Sequence, residues 1–318
     1  METLIPPFDL HRVFVAPWTT DFGIFGWIVL MGFLVGAACG LVGNYLLLRR
    51  LALMGDAVSH SVLPGLVIAF LFSSSRGTGP MFLGALAAGL LATVIIEFIH
   101  TRTRVKQDAA IGFAFSTLFA GGVLLTAIYT AQIDLDAECV LYGEIAFVAL
   151  DAPVTVAGLA LAPPVVLRMG LVLLGVVALI LAFYKELLVS AFDAGLARGL
   201  GINPTAMHFG LMAVLSVVVV SAFEAVGAIL VIAMLILPGA TASLLTKRLG
   251  LMHLGAVVHA ALSAVLGLHL GVWLECSLAP AMVVAGAGLF GLAWLLSPSE
   301  GLVARWRHRP APAAVTSP

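Results

Sequence analysis

Apolar runs of about 20 residues recur along almost the whole chain, and each is long enough to cross a hydrocarbon layer of roughly 30 Å. Read against their breakers, they give spans at 24–48, 54–72, 80–99, 109–129, 168–184, 206–222, 226–246, 254–273 and 278–296. Of the 318 residues, 62% are hydrophobic and only 10% charged, and the mean hydropathy is +1.16. A soluble domain carries roughly 25% charged residues, so a water-exposed bundle of this composition would lack the polar surface to cover itself. The expected fold class is all-α: a polytopic helical membrane protein with about nine transmembrane helices, eight to ten being compatible with the pattern.

Basic residues order these spans, because cytoplasmic loops collect Lys and Arg. "RR" at 49–50 follows the first span and "TRTRVK" at 101–106 the third; Lys185 follows the fifth, "KR" at 247–248 the seventh and "RWRHR" at 305–309 the ninth. The other ends carry "SSSRGTGP", the acidic stretch 131–151, a turn at Glu224 and "LECS". An amino terminus outside and a carboxyl terminus in the cytoplasm satisfies all of these loops. Residues 1–23 are expected as an extracytoplasmic or interfacial segment, with "RVFVAPW" lying on the membrane surface, and 297–318 as a basic, then disordered, cytoplasmic tail. Between the fourth and fifth spans, "AQIDLDAECVLYGEIAFVALDAPVTVAGLALAPP" is acidic and broken by prolines, and reads as interfacial or partly re-entrant. The first residues carry acids and prolines rather than a basic stretch before an apolar core, so no cleavable signal is expected. Cys39, Cys139 and Cys276 lie far apart, with neither metal-cluster nor redox spacing. Small residues along "LGALAAGLLA" and "GAGLFGLAW" read as close helix packing.

Ionisable side chains inside a membrane are costly and usually face a protein interior or a water-filled cavity. Several here have plain structural explanations. Asp108 is placed to cap a helix start, Glu97 near an inner end to snorkel or to pair with Arg102 or Arg104, and Glu224 to be solvated in its turn. His208, His259 and His269 share no close helical spacing and read as satisfied structural histidines; Glu275 and His269 lie near the outer ends of the last helices.

Asp56 and His60, in "LALMGDAVSHSVLPGLVIAF" (51–70), are different. They are four apart, so a helix stacks them on one face, with Ser59 adjacent. Carboxylate plus imidazole suits Mn²⁺, Zn²⁺ or Fe²⁺, whereas Mg²⁺ and Ca²⁺ prefer all-oxygen ligands. Two donors make a weak site, fit for passing an ion on, and a dimer would bring two such pairs together. A structural hydrogen-bonded pair and a proton relay fit the same residues. Catalytic readings find no HExxH, GxSxG or GxGD. Lys106, Lys185 and Lys247 follow Val, Tyr and Thr, so no glycine–lysine pair exists to build a phosphate-binding loop. If ATP drives this chain, another polypeptide binds it. "YKELLVSAFDAGLARGLGINPTAM" (184–207) is the one long cytoplasmic loop with helical pattern and mixed charge, either an amphipathic connector or a docking element. Pro238, inside "SAFEAVGAILVIAMLILPGATASLLTKR", would kink its helix and free a backbone carbonyl, as at a hinge or cavity wall.

Taken together, "RRLALMGDAVSHSVLPGLVIAF", "KQDAAIGFAFS", "FDAGLARGLGI" and "VGAILVIAMLILPGATASLLTKRL" resemble, in this order, the ABC-type permeases that import manganese, zinc or iron(II) in bacteria. The resemblance runs from about residue 24 to 296 and implies the membrane subunit of an ATP-driven importer in the bacterial inner (plasma) membrane. It implies a second permease subunit, the same or a paralogue, two cytoplasmic ATP-binding subunits holding the ATP, and an extracytoplasmic metal-binding protein. The transported ion is then the only metal, no bound cofactor is implied, and no nucleic acid is a partner. Asp56 and His60 carry over as the translocation path. The coupling segment, about 185–204, carries over at Phe192, Asp193, Ala197, Gly199 and Gly201 as the contact to the ATPase, with Pro238 as the gating element. The transmembrane permease domain is 24–296, and nothing implies that the chain is itself an enzyme. Rival readings are a siderophore or cobalamin permease, which would want an aromatic or arginine-lined cavity, and a proton-coupled secondary transporter, which would need no ATPase.

Overall fold

A computed structural model describes residues 6–74, 77–129, 145–156, 159–297 and 301. Its helices are α1 (Phe22–Leu48), α2 (Met54–Ser73), α3 (Thr78–Arg102), α4 (Gln107–Tyr129), α5 (Pro164–Ala182), α6 (Tyr184–Phe192), α7 (Ala194–Gly199), α8 (Pro204–Leu245), α9 (Leu249–Leu274) and α10 (Leu278–Leu296). Short π and 3-10 turns at His11–Val15 and Ala16–Trp18 precede them, and a further 3-10 turn covers Ile145–Ala149. The remaining regular structure among the described residues is a two-rung antiparallel hairpin, Thr155–Val156 with Leu159–Ala160. Apolar sequence in lipid forms helices because only a helix satisfies its own backbone polar groups there. Pro164 and Pro204 open α5 and α8 at positions that need no amide hydrogen. Asp108 lies in the first turn of α4, where a carboxylate meets the positive end of the helix dipole.

Among the described residues, eight helices are long and apolar enough to cross a membrane, and Leu230–Leu245 adds a shorter apolar one. The eight include Pro204–Phe223, so α8 is two segments in series. Gly227, with φ 71° and ψ 171°, interrupts it in a backbone region that is essentially open to glycine alone. Both ends of α8 lie at the same end of the bundle. His208 sits beside Glu97, five residues before α3 ends at Arg102, and Gly239 lies against Asn44, four residues before α1 ends at Leu48. The chain therefore reverses between Phe223 and Leu230, where the sequence pattern placed a turn, at the non-helical Gly227. The side chain of Glu224 lies outside the described residues. Helical dihedrals persist through Pro238, so the break falls eleven residues before it.

Thr155–Val156 pairs with Leu159–Ala160 in the segment between α4 and α5. Ile145 and Val148 are buried against the bundle, while residues 130–144 and the tail from 302 lie outside the described residues. The N-terminal segment packs on the end of α9. Trp18 Nε1 donates to His269 Nε2 (3.3 Å), His269 Nδ1 donates to the Val13 carbonyl (2.8 Å), and Arg12 meets Glu275 at 2.7 Å. Glu275 is thus paired, and a cavity of about 550 Å³ beside it is lined by Arg12, Asp21, Cys276 and Ser277 among others.

Water does not drive helices together in lipid, so contact depends on how closely the backbones approach. One contact sets the depth of α2. A Cβ on Gly43 would run into the Leu235 carbonyl oxygen, and a Cβ on Gly55 into the Leu235 side chain. Leu235 precedes the end of α8 by ten residues, about 15 Å of helix. The first turn of α2 therefore lies well inside the bundle, not at its surface. Gly43→Leu should cost at least the 1–3 kcal/mol typical of overpacking. The expected result is a clear fall in the thermal unfolding midpoint of the detergent-purified protein, whereas Gly288→Ala, which meets nothing within 4 Å, should leave it unchanged.

Candidate functional site

Asp56 and His60 are brought together as their spacing demands. His60 Nε2 lies 3.2 Å from Asp56 Oδ1, with side-chain exposures of 22% and 38% in the isolated chain. The rest of the first two turns of α2 is largely enclosed: Met54, Gly55, Ala57, Val58, Ser59, Ser61 and Val62 are buried. Ser59 turns inward and donates to the Gly55 carbonyl (2.8 Å), which removes it from the open face. Pro64, inside α2 and one turn beyond His60, has no amide hydrogen to offer the His60 carbonyl. The His60 ring lies against two aromatic rings of α4, Phe115 (centroids 4.8 Å apart) and Phe119 (5.5 Å). Among the described residues no cluster of three or more His, Cys, Asp or Glu could hold a metal. One chain thus offers an imidazole, a carboxylate and an open, partly polar face.

The other membrane-embedded polar groups resolve into helix contacts. Glu97 does not pair with Arg102 or Arg104: its Oε2 lies 3.2 Å from Nε2 of His208 across the α3–α8 interface. Sequence spacing carries no signal for that pair, because its members are more than 100 residues apart. His259 is buried with Nε2 at 3.1 Å from the Gly286 carbonyl. His253 receives Asn44 Nδ2 on its Nδ1 (2.9 Å) and faces the Tyr45 hydroxyl with Nε2 (3.3 Å), with the Tyr184 ring also against it. This polar knot joins α1, α9 and the start of α6.

The segment 184–203 is built as two short helices. Asp193 caps α7, its Oδ1 accepting from the amides of Gly195 (2.8 Å) and Leu196 (3.0 Å). Gly201, at φ 79°, ends α7 in the left-handed conformation, with Gly201 N–H on the Arg198 carbonyl and Ile202 N–H on that of Ala197. Asn203 then caps α8 through the amides of Thr205 and Ala206. Ala197 is buried, while Phe192, Leu196 and Leu200 are exposed at 70%, 55% and 61%. Gly199 has helical backbone and open space around it. The segment is tied to α1 by Arg49 Nη2, which donates to Ser190 Oγ at 2.8 Å. Burial pulls the Arg49 pKa down from its ordinary value, and neighbouring Tyr45 pulls it partly back.

Residues 22–297 match the model of the ABC 3 transport family. The chain is 42% identical over 279 residues to the manganese transport system membrane protein MntD of Bacillus subtilis, covering 88% of this chain and 94% of that one. It is 41% identical over 278 residues to the zinc transport system membrane protein TroD of Treponema pallidum, covering 87% and 75%. Among solved structures it resembles PsaBC from Streptococcus pneumoniae in complex with Fab, at a TM-score of 0.74 and 30% identity, covering 92% of this chain and 98% of the other.

The Asp193 cap generates a prediction of its own. Asp193→Ala should cost about 1 kcal/mol locally and speed amide hydrogen exchange across 194–199. Exchange in α9, which shares no contact with that cap, should stay as it is.

Proposed function

Because the chain belongs to the ABC 3 transport family, we propose that it is the membrane-spanning permease of an ATP-driven importer for a divalent transition-metal ion, and that the ion passes the Asp56–His60 pair. The observation that carries this reading is the open face on α2: two ligand-type side chains 3.2 Å apart, deep in a bundle whose neighbouring positions are apolar and buried. A bulky organic substrate would want a different lining, and the relatives named above are described by manganese and by zinc. Ligand chemistry adds iron(II) to these and disfavours Mg²⁺ and Ca²⁺.

The end of the bundle that collects Arg49, Arg102, Lys185 and Lys247 is the cytoplasmic one, with the amino terminus outside in the plasma membrane of a bacterium. A second permease subunit faces the open side of α2 and brings its own donors, so that two weak pairs replace the ion's hydration shell without trapping it. An extracytoplasmic binding protein delivers the ion. Phe192, Leu196 and Leu200, exposed on the capped segment that holds Asp193, Ala197, Gly199 and Gly201, dock on a cytoplasmic ATP-binding subunit. Movement there alternates access, with α8 bending at Gly227 and at Pro238.

In cells lacking their own divalent-metal importers and carrying the complete transporter, one ion should accumulate with the wild type. Asp56→Ala and His60→Ala, equally expressed, should each reduce that uptake at least about tenfold, the scale on which metal sites respond to losing a partner. Accumulation equal to wild type in both variants would remove the pair from the path.

A further inference from the structure

Two aromatic side chains stand against the ion pair from another helix. Phe115 and Phe119 are one turn apart on α4 and lie 4.8 Å and 5.5 Å from the His60 ring, the first tilted at 56° and the second edge-on at 84°. Their own centroids are 6.3 Å apart with planes only 28° from parallel, so the three centroids form a triangle and the imidazole rests in the corner beside both rings. These separations are those at which aromatic rings attract one another.

The corner is held at a fixed height. A Cβ on Gly122 would lie 2.8 Å from Cδ of Pro64 and 3.1 Å from Cγ of Leu63. Gly122 lies three residues beyond Phe119, and Pro64 four beyond His60, so the same faces continue upward from the ring contact. The proline ring lodged against the bare glycine backbone stops α4 from sliding along α2, and it does so without help from either phenylalanine.

We infer that Phe115 and Phe119 are positioning residues for metal binding: they hold the His60 imidazole at the angle that keeps Nε2 facing Asp56 and the open side of α2. The inference rests on the reading of Asp56 and His60 as ion ligands. An imidazole on an open helix face would otherwise rotate among its rotamers, and a site with two donors per chain has no third ligand to correct a misplaced one. The rings also present no oxygen on their side, so an ion gains nothing there except the histidine nitrogen. Partners that orient a metal-bound histidine usually act through hydrogen bonds to its second nitrogen; here the orientation comes from ring packing.

The test uses the permease assembled with its ATP-binding subunits in detergent and Co²⁺ alone as probe, because its visible spectrum reports coordination geometry. Wild type should bind Co²⁺ and Asp56→Ala should not; if both bind alike, the assignment of the pair itself fails. With that baseline met, Phe115→Ala and Phe119→Ala should each weaken binding about tenfold and alter the spectrum, while Phe115→Tyr and Phe119→Tyr retain both. Should the alanine variants fail to fold, Phe115→Leu and Phe119→Leu keep the apolar bulk without the ring and are expected to show the same weakening. Wild-type affinity and spectrum in the folded alanine or leucine variants would overturn the inference while leaving the Asp56–His60 reading intact.

Discussion

Leu235 lies against two bare backbones at once, Gly43 on α1 and Gly55 on α2, and the position of the candidate site depends on that contact. The α1 and α8 backbones meet there at a separation that no Cβ would allow, and the Leu235 side chain fills the space over Gly55. In lipid such closeness is where association energy comes from, since the tails outside are as apolar as the side chains inside. The contact also settles a geometric question. A helix that begins right after two arginines would ordinarily start at the membrane surface. Because α2 begins level with Leu235, about 15 Å of α8 lies between its first turn and the end of that helix, and Asp56 is drawn inward with it.

Depth is what makes the pair consequential. At a surface, an Asp–His pair one turn apart is an ordinary solvated ion pair worth well under 1 kcal/mol. Inside a bundle, the same two groups are expensive unless something is gained from them. Ser59 is committed to its own helix, and the rings that α4 sets against His60 are hydrocarbon. The pair's remaining valence is directed to the side that the chain leaves open.

Much of this was legible in the sequence because it is local. Apolar runs, the reversal between 206–222 and 226–246, the four-residue spacing of Asp56 and His60 and the capped segment after the fifth span all depend on near neighbours. What was not legible depends on contacts across helices. Glu97 was expected to reach Arg102 or Arg104 along its own helix, yet it meets His208, whose position is decided by how α8 folds back. Arg12 and Glu275 pair across more than 260 residues, and nothing in either neighbourhood announces it. Pro238 drew attention as the breaker inside the long apolar stretch, because proline is conspicuous on paper. The backbone departs from helix at Gly227 instead, one glycine in a chain with 33, and only the packing distinguishes it from the others. The Phe115–Phe119 contact was hidden for the same reason: aromatic residues four apart on an apolar helix read as ordinary packing until a histidine is seen against both of them.

The proposed transport cycle requires that a change at the exposed face of Phe192, Leu196 and Leu200 reach Asp56, and the structure offers a continuous run of rigid contacts for it. The segment is stiffened by the Asp193 cap and the Gly201 turn, and Asn203 joins it directly to α8. Arg49 ties its other helix to the end of α1. Thus α1 and α8 are among the helices the segment can move, and they meet where the Leu235 carbonyl lies against Gly43, with the Leu235 side chain reaching Gly55 of α2. A shift of α8 at that point would press on α2 through the Leu235 side chain. Such displacement would carry Asp56 and His60 as a unit, while the stop between Pro64 and Gly122 makes α4 travel with them. The ion site would then move without losing its geometry, which is what an element that hands an ion from one side to the other requires.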